Sequence, residues 1–274
     1  MTNLVVEVVE SGSAINARRA DGTHLLTHRF HPDERPSFHP IMAPDGVGVL
    51  TQDSPDHHPW QHGLYTGFNL VNGVGFWKEQ PGDGTFHPRL ITPPTIHGSS
   101  VAWTLETDWR MPDGTTLVVE RQQWTLTDFA STFELDLVWT LIPAINVTIG
   151  EYMAGGLFLR MPFVPGAGGE AINNLGQRND TAERQRADWV AVSMPIQMRN
   201  DWGGAVIMDH PANPDYPVTW RVDHELGVSP SRCIAGSWTI EVGDTERYQY
   251  RVAFYVGALD QRWANARWEA FSNS

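Results

Sequence analysis

The sequence contains one cysteine, Cys233, among its 274 residues. A single thiol excludes an intrachain disulfide and any metal site built from paired cysteines. Basic residues are also scarce, with 19 Lys and Arg against 32 Asp and Glu and a formal net charge of −13. This charge repels phosphate backbones and no basic cluster offsets it locally, so we predict no nucleic-acid partner.

Long apolar runs are missing as well. A membrane span needs roughly 18–20 consecutive apolar residues, and the best candidate, residues 135–149, is interrupted by Asp136, Pro143 and Asn146. The first residues, MTNLVVEVVESG, show no basic segment and no cleavage site of a secretory signal. We therefore expect a cytoplasmic protein with no membrane partner.

Several common catalytic motifs are absent. The chain has no GxSxG, no P-loop, no GxGxxG fingerprint and no HExxH. The serine hydrolase, nucleotide-binding and zincin classes therefore have no local support.

Aromatic and turn-forming residues are plentiful, with 12 Trp, 25 Gly and 19 Pro. Alternation of apolar and polar residues recurs along the chain and is typical of half-buried strands in antiparallel sheets. It places Trp103, Trp109, Trp124 and Trp139 in the core. Helical patterns are short, at residues 182–186 after Asp180 and at residues 258–271. We predict an all-β fold, a large antiparallel β-sandwich, as one domain over residues 1–274.

The histidines are concentrated in one part of the chain. Seven of the 11 lie within residues 24–62, and the densest stretch is DSPDHHPWQHGLY, residues 53–65. Histidine exchanges protons near neutrality, so this stretch has the components of an acid/base site. Histidines in such loops also commonly cap turns or pair with surface carboxylates, which is the alternative interpretation for each one.

Metal binding is a second alternative for the same residues. His58 and His62 are four positions apart, but Pro59 and Gly63 argue against the helix that would align them. On an extended loop they could converge with His39 on Zn, Mn or Fe. The spacing is not diagnostic, so we predict no cofactor and leave a divalent metal on His39, His58 and His62 open.

Two further segments place polar groups among turns. Glu151 precedes a glycine-rich strand start, and residues 209–217 (DHPANPDYP) form a rigid polar loop around Asn213. Such a loop suits a binding surface and equally suits a tight connection. We expect residues 35–62 and residues 209–220 to line one cavity, with Glu151 or Asp209 as the carboxylate partner of the histidines.

Short motifs in a fixed order resemble a family of soluble bacterial proteins labelled methane oxygenase-like. They are RPSFHPI (35–41), HPWQHGL (58–64), NG (72–73), FW (76–77), GGLFLR (155–160), WVAVS (189–193), DHPANP (209–214) with Pro217 and Trp220, and YR (250–251) with Gly257. His57 and Gln61 depart from the family's pattern. Membrane methane oxidation does not fit a chain without transmembrane segments. The resemblance implies a sandwich like the galactose-mutarotase supersandwich and a place in sugar and glycoside metabolism.

We predict a carbohydrate-processing enzyme that applies general acid/base chemistry to a sugar ring, as an epimerase or mutarotase, or as a lyase on an oxidised glycoside. The predicted catalytic residues are His58, His62 and Glu151. The predicted substrate-binding residues supply aromatic faces and hydrogen bonds; they are Arg35, His39, Trp60, Trp77, His210, Asn213 and Tyr216. The rivals are a metal-dependent glycoside lyase or hydrolase and a non-catalytic carbohydrate-binding sandwich. The expected partner is a small sugar or glycoside, with homo-oligomerisation also possible.

Overall fold

The computed structural model describes residues 3–274, which form twenty β-strands, three short 3-10 helices and one α-helix. The first ten strands are β1 (Leu4–Val9), β2 (Ala14–Arg19), β3 (His24–Arg29), β4 (Ser37–Ile41), β5 (Leu64–Phe68), β6 (Leu70–Val71), β7 (Val74–Gly75), β8 (Thr85–His97), β9 (Ser100–Arg110) and β10 (Thr116–Asp128). The others are β11 (Phe133–Pro143), β12 (Val147–Ile149), β13 (Gly155–Leu159), β14 (Glu170–Asn173), β15 (Trp189–Pro195), β16 (Trp202–Asp209), β17 (Trp220–Val222), β18 (Val228–Pro230), β19 (Trp238–Ile240) and β20 (Glu246–Val256). The 3-10 helices are Glu10–Gly12, Asn179–Thr181 and Arg232–Ile234, and α1 is Gln261–Ser272.

Two eight-stranded sheets make up most of the fold, and every pair of neighbouring strands in them is antiparallel. Sheet I has the order β1-β2-β3-β4-β5-β13-β18-β17, and sheet II the order β14-β15-β16-β20-β11-β10-β9-β8. A small sheet III, β19-β12-β6-β7, completes the set. The predicted all-β class and the large antiparallel sandwich are confirmed.

The core lies between sheets I and II and follows from the alternation of side chains along the strands. The four tryptophans predicted to be core residues, Trp103, Trp109, Trp124 and Trp139, are at most 1% exposed. Phe38 of sheet I packs edge-on against Trp124 of sheet II, with ring centroids 4.6 Å apart. Burial of such large aromatic surfaces is the main favourable contribution to the stability of a sandwich.

One carboxylate, Glu120, is buried between the sheets and fully supplied with hydrogen-bond donors. Burying a charge in this way is costly unless donors surround it. Four donors do so, from both sheets: the Thr66 hydroxyl at 2.7 Å, the Gln122 amide at 2.9 Å, and the indole N–H groups of Trp109 at 3.0 Å and Trp139 at 2.5 Å. The polar cluster therefore ties the two sheets together inside an otherwise apolar core.

Helix α1 covers the outer face of sheet II. Asp260 caps its first turn by accepting a hydrogen bond from the Arg262 N–H at 2.9 Å. Ala264 and Phe271 pack against outward-facing residues of β15, β16 and β20. The helical pattern at residues 258–271 thus corresponds to a real helix. The one at 182–186 does not, because the chain turns after the short 3-10 helix Asn179–Thr181.

Within residues 3–274, no helix is long and apolar enough to cross a membrane.

Candidate functional site

The face of sheet I that points away from the core carries a row of polar and aromatic side chains. Ser37 of β4 pairs with Arg29 of β3 on one side and with Tyr65 of β5 on the other. Tyr65 in turn pairs with Phe158 of β13. Because paired residues point to the same side of a sheet, these four side chains form one row across four strands. This outer face of sheet I is the foundation of the candidate site.

The histidine-rich stretch is a loop clamped at its base. Asp53 and His62 face each other in an isolated antiparallel bridge, and the Ser54 N–H donates to the Gln61 carbonyl at 2.7 Å. Gly63 follows with a φ of +75°, and a Cβ there would lie 2.3 Å from the Phe38 carbonyl oxygen. Only glycine permits this approach to β4, so the residue after His62 fixes where the loop rejoins the sheet.

His62 lies between two carboxylates. Its Nδ1 is 2.9 Å from Oδ1 of Asp53, and its Nε2 is 3.2 Å from Oε2 of Glu79. Each carboxylate also contacts an arginine, Asp53 with Arg29 at 2.8 Å and Glu79 with Arg35 at 3.2 Å. The result is a continuous chain of alternating charge, Arg29–Asp53–His62–Glu79–Arg35, which we call the His62 network.

The network shifts the proton affinity of its members. Burial lowers the pKa of the His62 imidazole, but the hydrogen bonds with Asp53 and Glu79 outweigh it and leave that pKa above the ordinary histidine value. Burial raises the pKa of the Asp53 carboxyl, and the hydrogen bonds with His62 and Arg29 reverse this and hold it well below its usual range. Burial raises the pKa of Glu79, but the hydrogen bond with His62 and the positive charge of Arg35 together leave it below its usual value. His62 thus keeps its proton to higher pH than a free histidine, between two ionised carboxylates.

Arg35 positions Glu79 from inside the protein. Its guanidinium donates to the carbonyls of Phe76 and Trp77 at 2.9 and 2.8 Å. It also lies over the rings of Tyr65 and Trp77, 4.8 and 5.4 Å from their centroids. Glu79 itself has a φ of +53°. A non-glycine residue in this left-handed conformation is strained, and such strain clusters at functional sites.

Two neighbouring cavities open on this face. The polar cavity has a volume of about 320 Å³ and is lined by Arg29, Glu34, Arg35, Ser37, Asp53, Ser54, His62 and Glu79. The aromatic cavity has a volume of about 150 Å³, and its walls include Trp60, Trp77, Tyr152 and Phe158 together with His58, Gln61 and Asp223. Tyr65 separates them, since its ring packs against His62 on one side and against Trp77 on the other.

A second charged cluster lies beside the aromatic cavity, at the tip of the loop. Oε2 of Glu225 is 3.0 Å from Nε2 of His57 and 3.6 Å from Nδ1 of His58. Arg160, whose side chain is buried, contacts the same Glu225 oxygen at 2.6 Å. We call these residues the loop-tip cluster.

The predicted catalytic residues do not form one constellation. His62 lines the polar cavity, whereas His58 lines the aromatic cavity and approaches Glu225. Glu151 is exposed and lines neither cavity, and Asp209 is buried in a hydrogen bond with Asn213 at 2.7 Å. The expected carboxylate partners are therefore replaced by Asp53 and Glu79 for His62 and by Glu225 for His58, because these loops meet only in three dimensions.

The predicted binding residues divide into two groups. Arg35, Trp60 and Trp77 line the two cavities, and His39 lines an adjoining cavity that shares Asp53. His210, Asn213 and Tyr216 lie elsewhere, at the end of sheet II. The His210 ring packs edge-on against Phe271 of α1 at 5.0 Å, the Asn213 amide donates to the Gln249 carbonyl at 2.7 Å, and the Tyr216 hydroxyl donates to Asp188.

The expectation that residues 35–62 and 209–220 line one cavity is therefore wrong. Helix α1 draws the 209–217 loop toward the outer face of sheet II, and Trp268 of α1 donates to the Asp209 carbonyl at 3.0 Å. The open metal set His39, His58 and His62 does not converge either. Nδ1 of His39 is 2.9 Å from the Thr51 hydroxyl, and both nitrogens of His62 contact carboxylates. Among the described residues, the group that brings metal-ligating atoms together is His57, His58 and Glu225.

Sequence reasoning missed Glu79, Arg29, Arg160 and Glu225. Arg160 belongs to the GGLFLR stretch that was noted for its glycines, and Glu79 follows Trp77 closely, so both lay near a marked residue. Glu225 lies in an Asp-His-Glu turn without a motif, far along the chain from His57. Nothing in a single sequence indicates that contact.

Comparison with known proteins gives a family and remote structural likenesses. No curated protein matches the sequence. Among solved structures, the GH36 α-galactosidase AgaB from Geobacillus stearothermophilus has 10% identity and a TM-score of 0.38 over 92% of this chain and 41% of its own. The α-galactosidase from Lactobacillus brevis has 8% identity and a TM-score of 0.42 over 94% and 40%. A galactose mutarotase related enzyme from Lactobacillus acidophilus has 8% identity and a TM-score of 0.38 over 92% and 97%.

The chain thus spans about two fifths of the length of the α-galactosidases it resembles. The methane oxygenase-like label suggested by the short motifs finds no support in these comparisons. Residues 17–269 match the model of DUF6807, a family of unknown function, and the chain belongs to that family.

Proposed function

We propose that this protein is a carbohydrate-processing enzyme that transfers protons to and from a sugar ring, with His62 as the acid and Glu79 as the base. The observation that carries the proposal is the position of His62 between Asp53 and Glu79 at the wall of the polar cavity. Asp53 fixes the Nδ1 side of the ring and leaves Nε2 as the proton donor, the arrangement in which a carboxylate orients a working imidazole.

The lining of the two cavities supports a sugar as the substrate. A sugar presents hydroxyl groups around its ring and apolar C–H faces above and below it. The polar cavity offers arginine donors at Arg29 and Arg35 and carboxylate acceptors at Glu34 and Glu79. The adjacent aromatic cavity offers the faces of Trp60 and Trp77. A cavity of about 320 Å³ is of a size that suits a small ligand.

The acid and the base suit the opening of a sugar ring. Nε2 of His62 and Oε2 of Glu79 now contact each other. With a sugar bound, one sugar oxygen would become the hydrogen-bond partner of His62 and a second sugar oxygen would become the partner of Glu79. Glu79 removes the proton from the anomeric hydroxyl, the bond between C1 and the ring oxygen breaks, and His62 protonates that ring oxygen. Closure in reverse on the other face of the carbonyl gives the other anomer, with both protons returned.

The same pair also suits elimination from an oxidised glycoside. A carbonyl group acidifies the neighbouring C–H, Glu79 removes that proton, and His62 protonates the departing glycosidic oxygen. The two reactions differ in the bond that loses hydrogen. Ring opening exchanges only hydroxyl protons, whereas epimerisation replaces a carbon-bound hydrogen with one from solvent and elimination removes it.

The test follows freshly dissolved aldoses and 3-keto-glycosides by proton NMR in D₂O with the full chain. Faster α/β interconversion without carbon exchange indicates a mutarotase, and deuterium at carbon indicates an epimerase. Loss of a C–H signal together with release of the glycosidic alcohol indicates a lyase. In either case His62→Gln should lower turnover by about 10²–10⁴-fold, the range for one acid/base group, with little change in substrate affinity. Glu151→Gln is the matched control, because this exposed carboxylate lines neither cavity.

Two results would contradict the proposal. One is a His62→Gln protein with wild-type turnover. The other is binding of sugars, seen as quenching of tryptophan fluorescence, with no reaction of any sugar in the panel, which is what the non-catalytic binding sandwich predicts.

A further inference from the structure

The loop-tip cluster has a geometry that the proposed acid/base chemistry does not use. One ligand-type atom from each of His57, His58 and Glu225 lies within 4.8 Å of the other two. The carboxylate oxygen of Glu225 is 3.0 Å from Nε2 of His57 and 3.6 Å from Nδ1 of His58. Three such atoms around one point can approach a common ion through small side-chain rotations.

The His58 imidazole carries a second, independent sign. Its Nδ1 is shielded from solvent and has no hydrogen-bond partner among the described residues, and the same holds for Oε1 of Gln61. Buried polar atoms are nearly always paired, so an orphan of this kind needs an explanation. Both residues line the aromatic cavity. A ligand held by His58 would therefore be reachable from that cavity.

The chemistry of the three side chains selects the ligand. Two imidazole nitrogens and one carboxylate are a set that borderline divalent metals such as Zn²⁺ prefer, whereas Mg²⁺ and Ca²⁺ prefer oxygen alone. We propose that His57, His58 and Glu225 bind one divalent transition-metal ion, with its remaining coordination positions open toward the aromatic cavity. Three protein ligands with open positions are the pattern of reactive metal centres, while structural zinc sites are closed by four.

The surroundings hold Glu225 in place for this role. Arg160 contacts its Oε2 at 2.6 Å and donates from Nε to the Gln52 side chain at 3.1 Å. The backbone N–H groups of Glu225 and Gly227 both donate to Oδ1 of Asp223, at 2.9 and 2.8 Å. Groups that orient a metal ligand in this way support both the affinity and the geometry of a site.

Arg160 also places a positive charge beside the site, and the local charges offset it. Its guanidinium balances Glu225 and donates to Nε2 of His57 at 3.1 Å, a hydrogen bond that a bound metal would replace. The carboxylate of Asp223 lines the aromatic cavity. The ion is therefore held by coordination to imidazole nitrogen more than by net negative charge. This distinction gives the test its selectivity, because a merely electrostatic site would accept Mg²⁺ as readily as Zn²⁺.

The experiment uses the untagged full chain, stripped with a chelator and titrated calorimetrically with ZnCl₂ and, separately, with MgCl₂. We expect one Zn²⁺ per chain and no measurable Mg²⁺ binding. His58→Gln and Glu225→Gln should each weaken Zn²⁺ binding by at least about tenfold. The matched controls are His97→Gln and Glu151→Gln, which change an exposed histidine and an exposed glutamate outside the cluster.

The His62→Gln protein should still bind one Zn²⁺ per chain, because His62 supplies no ligand atom to this site. Far-UV circular dichroism of each variant checks that it is folded, and an unfolded variant is replaced by His57→Gln. The proposal is overturned if the stripped wild type takes up no Zn²⁺, or if His58→Gln and His97→Gln bind it equally well. Equal affinity for Mg²⁺ and Zn²⁺ would also overturn it.

Discussion

His62 and Asp53 lie opposite each other in an antiparallel bridge, and their side chains meet again, with Nδ1 of the imidazole 2.9 Å from Oδ1 of the carboxylate. The backbone bridge and the side-chain contact act on the same pair, so the orientation of the imidazole is fixed twice. This relationship leads to the first two predictions.

Asp53→Asn should lower the pKa of His62, because a neutral amide no longer stabilises the imidazolium. The alkaline limb of the pH–rate profile should move to lower pH, since the acid loses its proton earlier. NMR titration of the His62 ring measures the pKa directly. Asp56→Asn, in the same loop and exposed, is the control, and an unchanged His62 pKa in Asp53→Asn would contradict this account of the network.

His62 should also make stability depend on pH. Its pKa is higher in the folded protein than in the unfolded chain, so its stabilising contribution is complete below the unfolded value of about 6.5 and disappears as pH rises through the folded value. The difference in free energy of unfolding between wild type and His62→Gln should therefore be larger at about pH 6 than at about pH 9. Urea unfolding at both pH values measures it, and a constant difference would argue against the raised pKa.

Glu120→Gln should destabilise the protein by about 1–3 kcal/mol or more, the cost of leaving buried polar groups unpaired. The carboxylate accepts from four donors, and an amide presents two N–H groups of its own to some of them. Chemical denaturation gives the value, with Glu7→Gln on the surface of β1 as the control. A loss of unfolding free energy below about 0.5 kcal/mol, the size expected for an ordinary surface substitution, would show that the cluster does not tie the sheets together.

Asp209→Asn should gain stability relative to wild type as pH rises. Burial raises the pKa of the Asp209 carboxyl to about 7, whereas the unfolded chain ionises near 4. The folded protein thus favours the protonated acid, and that contribution is lost as pH increases through about 7. Melting temperatures of both proteins at about pH 5.5 and about pH 8.5 test this. If the melting temperatures of both proteins change equally between these two pH values, Asp209 is ionised over the whole of this pH range.

The fold could be predicted from the sequence because strands with one face in the core show an alternation of apolar and polar residues. Phe133, Leu135, Leu137, Trp139 and Leu141 share one parity, and all five are buried along β11. A strand with one face in a core cannot shift by one residue without exposing that face. Local pattern and tertiary structure therefore agree along β9, β11 and β20 of sheet II.

The candidate site was accessible only in part, for a reason that is also physical. Asp53 and His62 belong to one loop, and the histidine-rich stretch identified that loop. Glu79 contacts His62, and Glu225 contacts the loop-tip histidines, both from segments outside this loop. Ionic contacts of that kind have no periodicity and no fixed spacing in the sequence. His210 and Asn213 were misplaced because residue type alone does not show on which sheet a loop ends.

The loop that carries His57 and His58 leaves the sheet at Asp53 and returns at His62, and the bridge between these two residues closes its base. An ion at the tip would reduce the conformational entropy of the whole loop. It would also reduce the range of positions that the side chains of Asp53 and His62 sample. Thermodynamic linkage makes such an effect reciprocal. If metal binding changes the proton affinity of His62 by some factor, protonation of His62 must change the affinity for metal by the same factor and in the same direction.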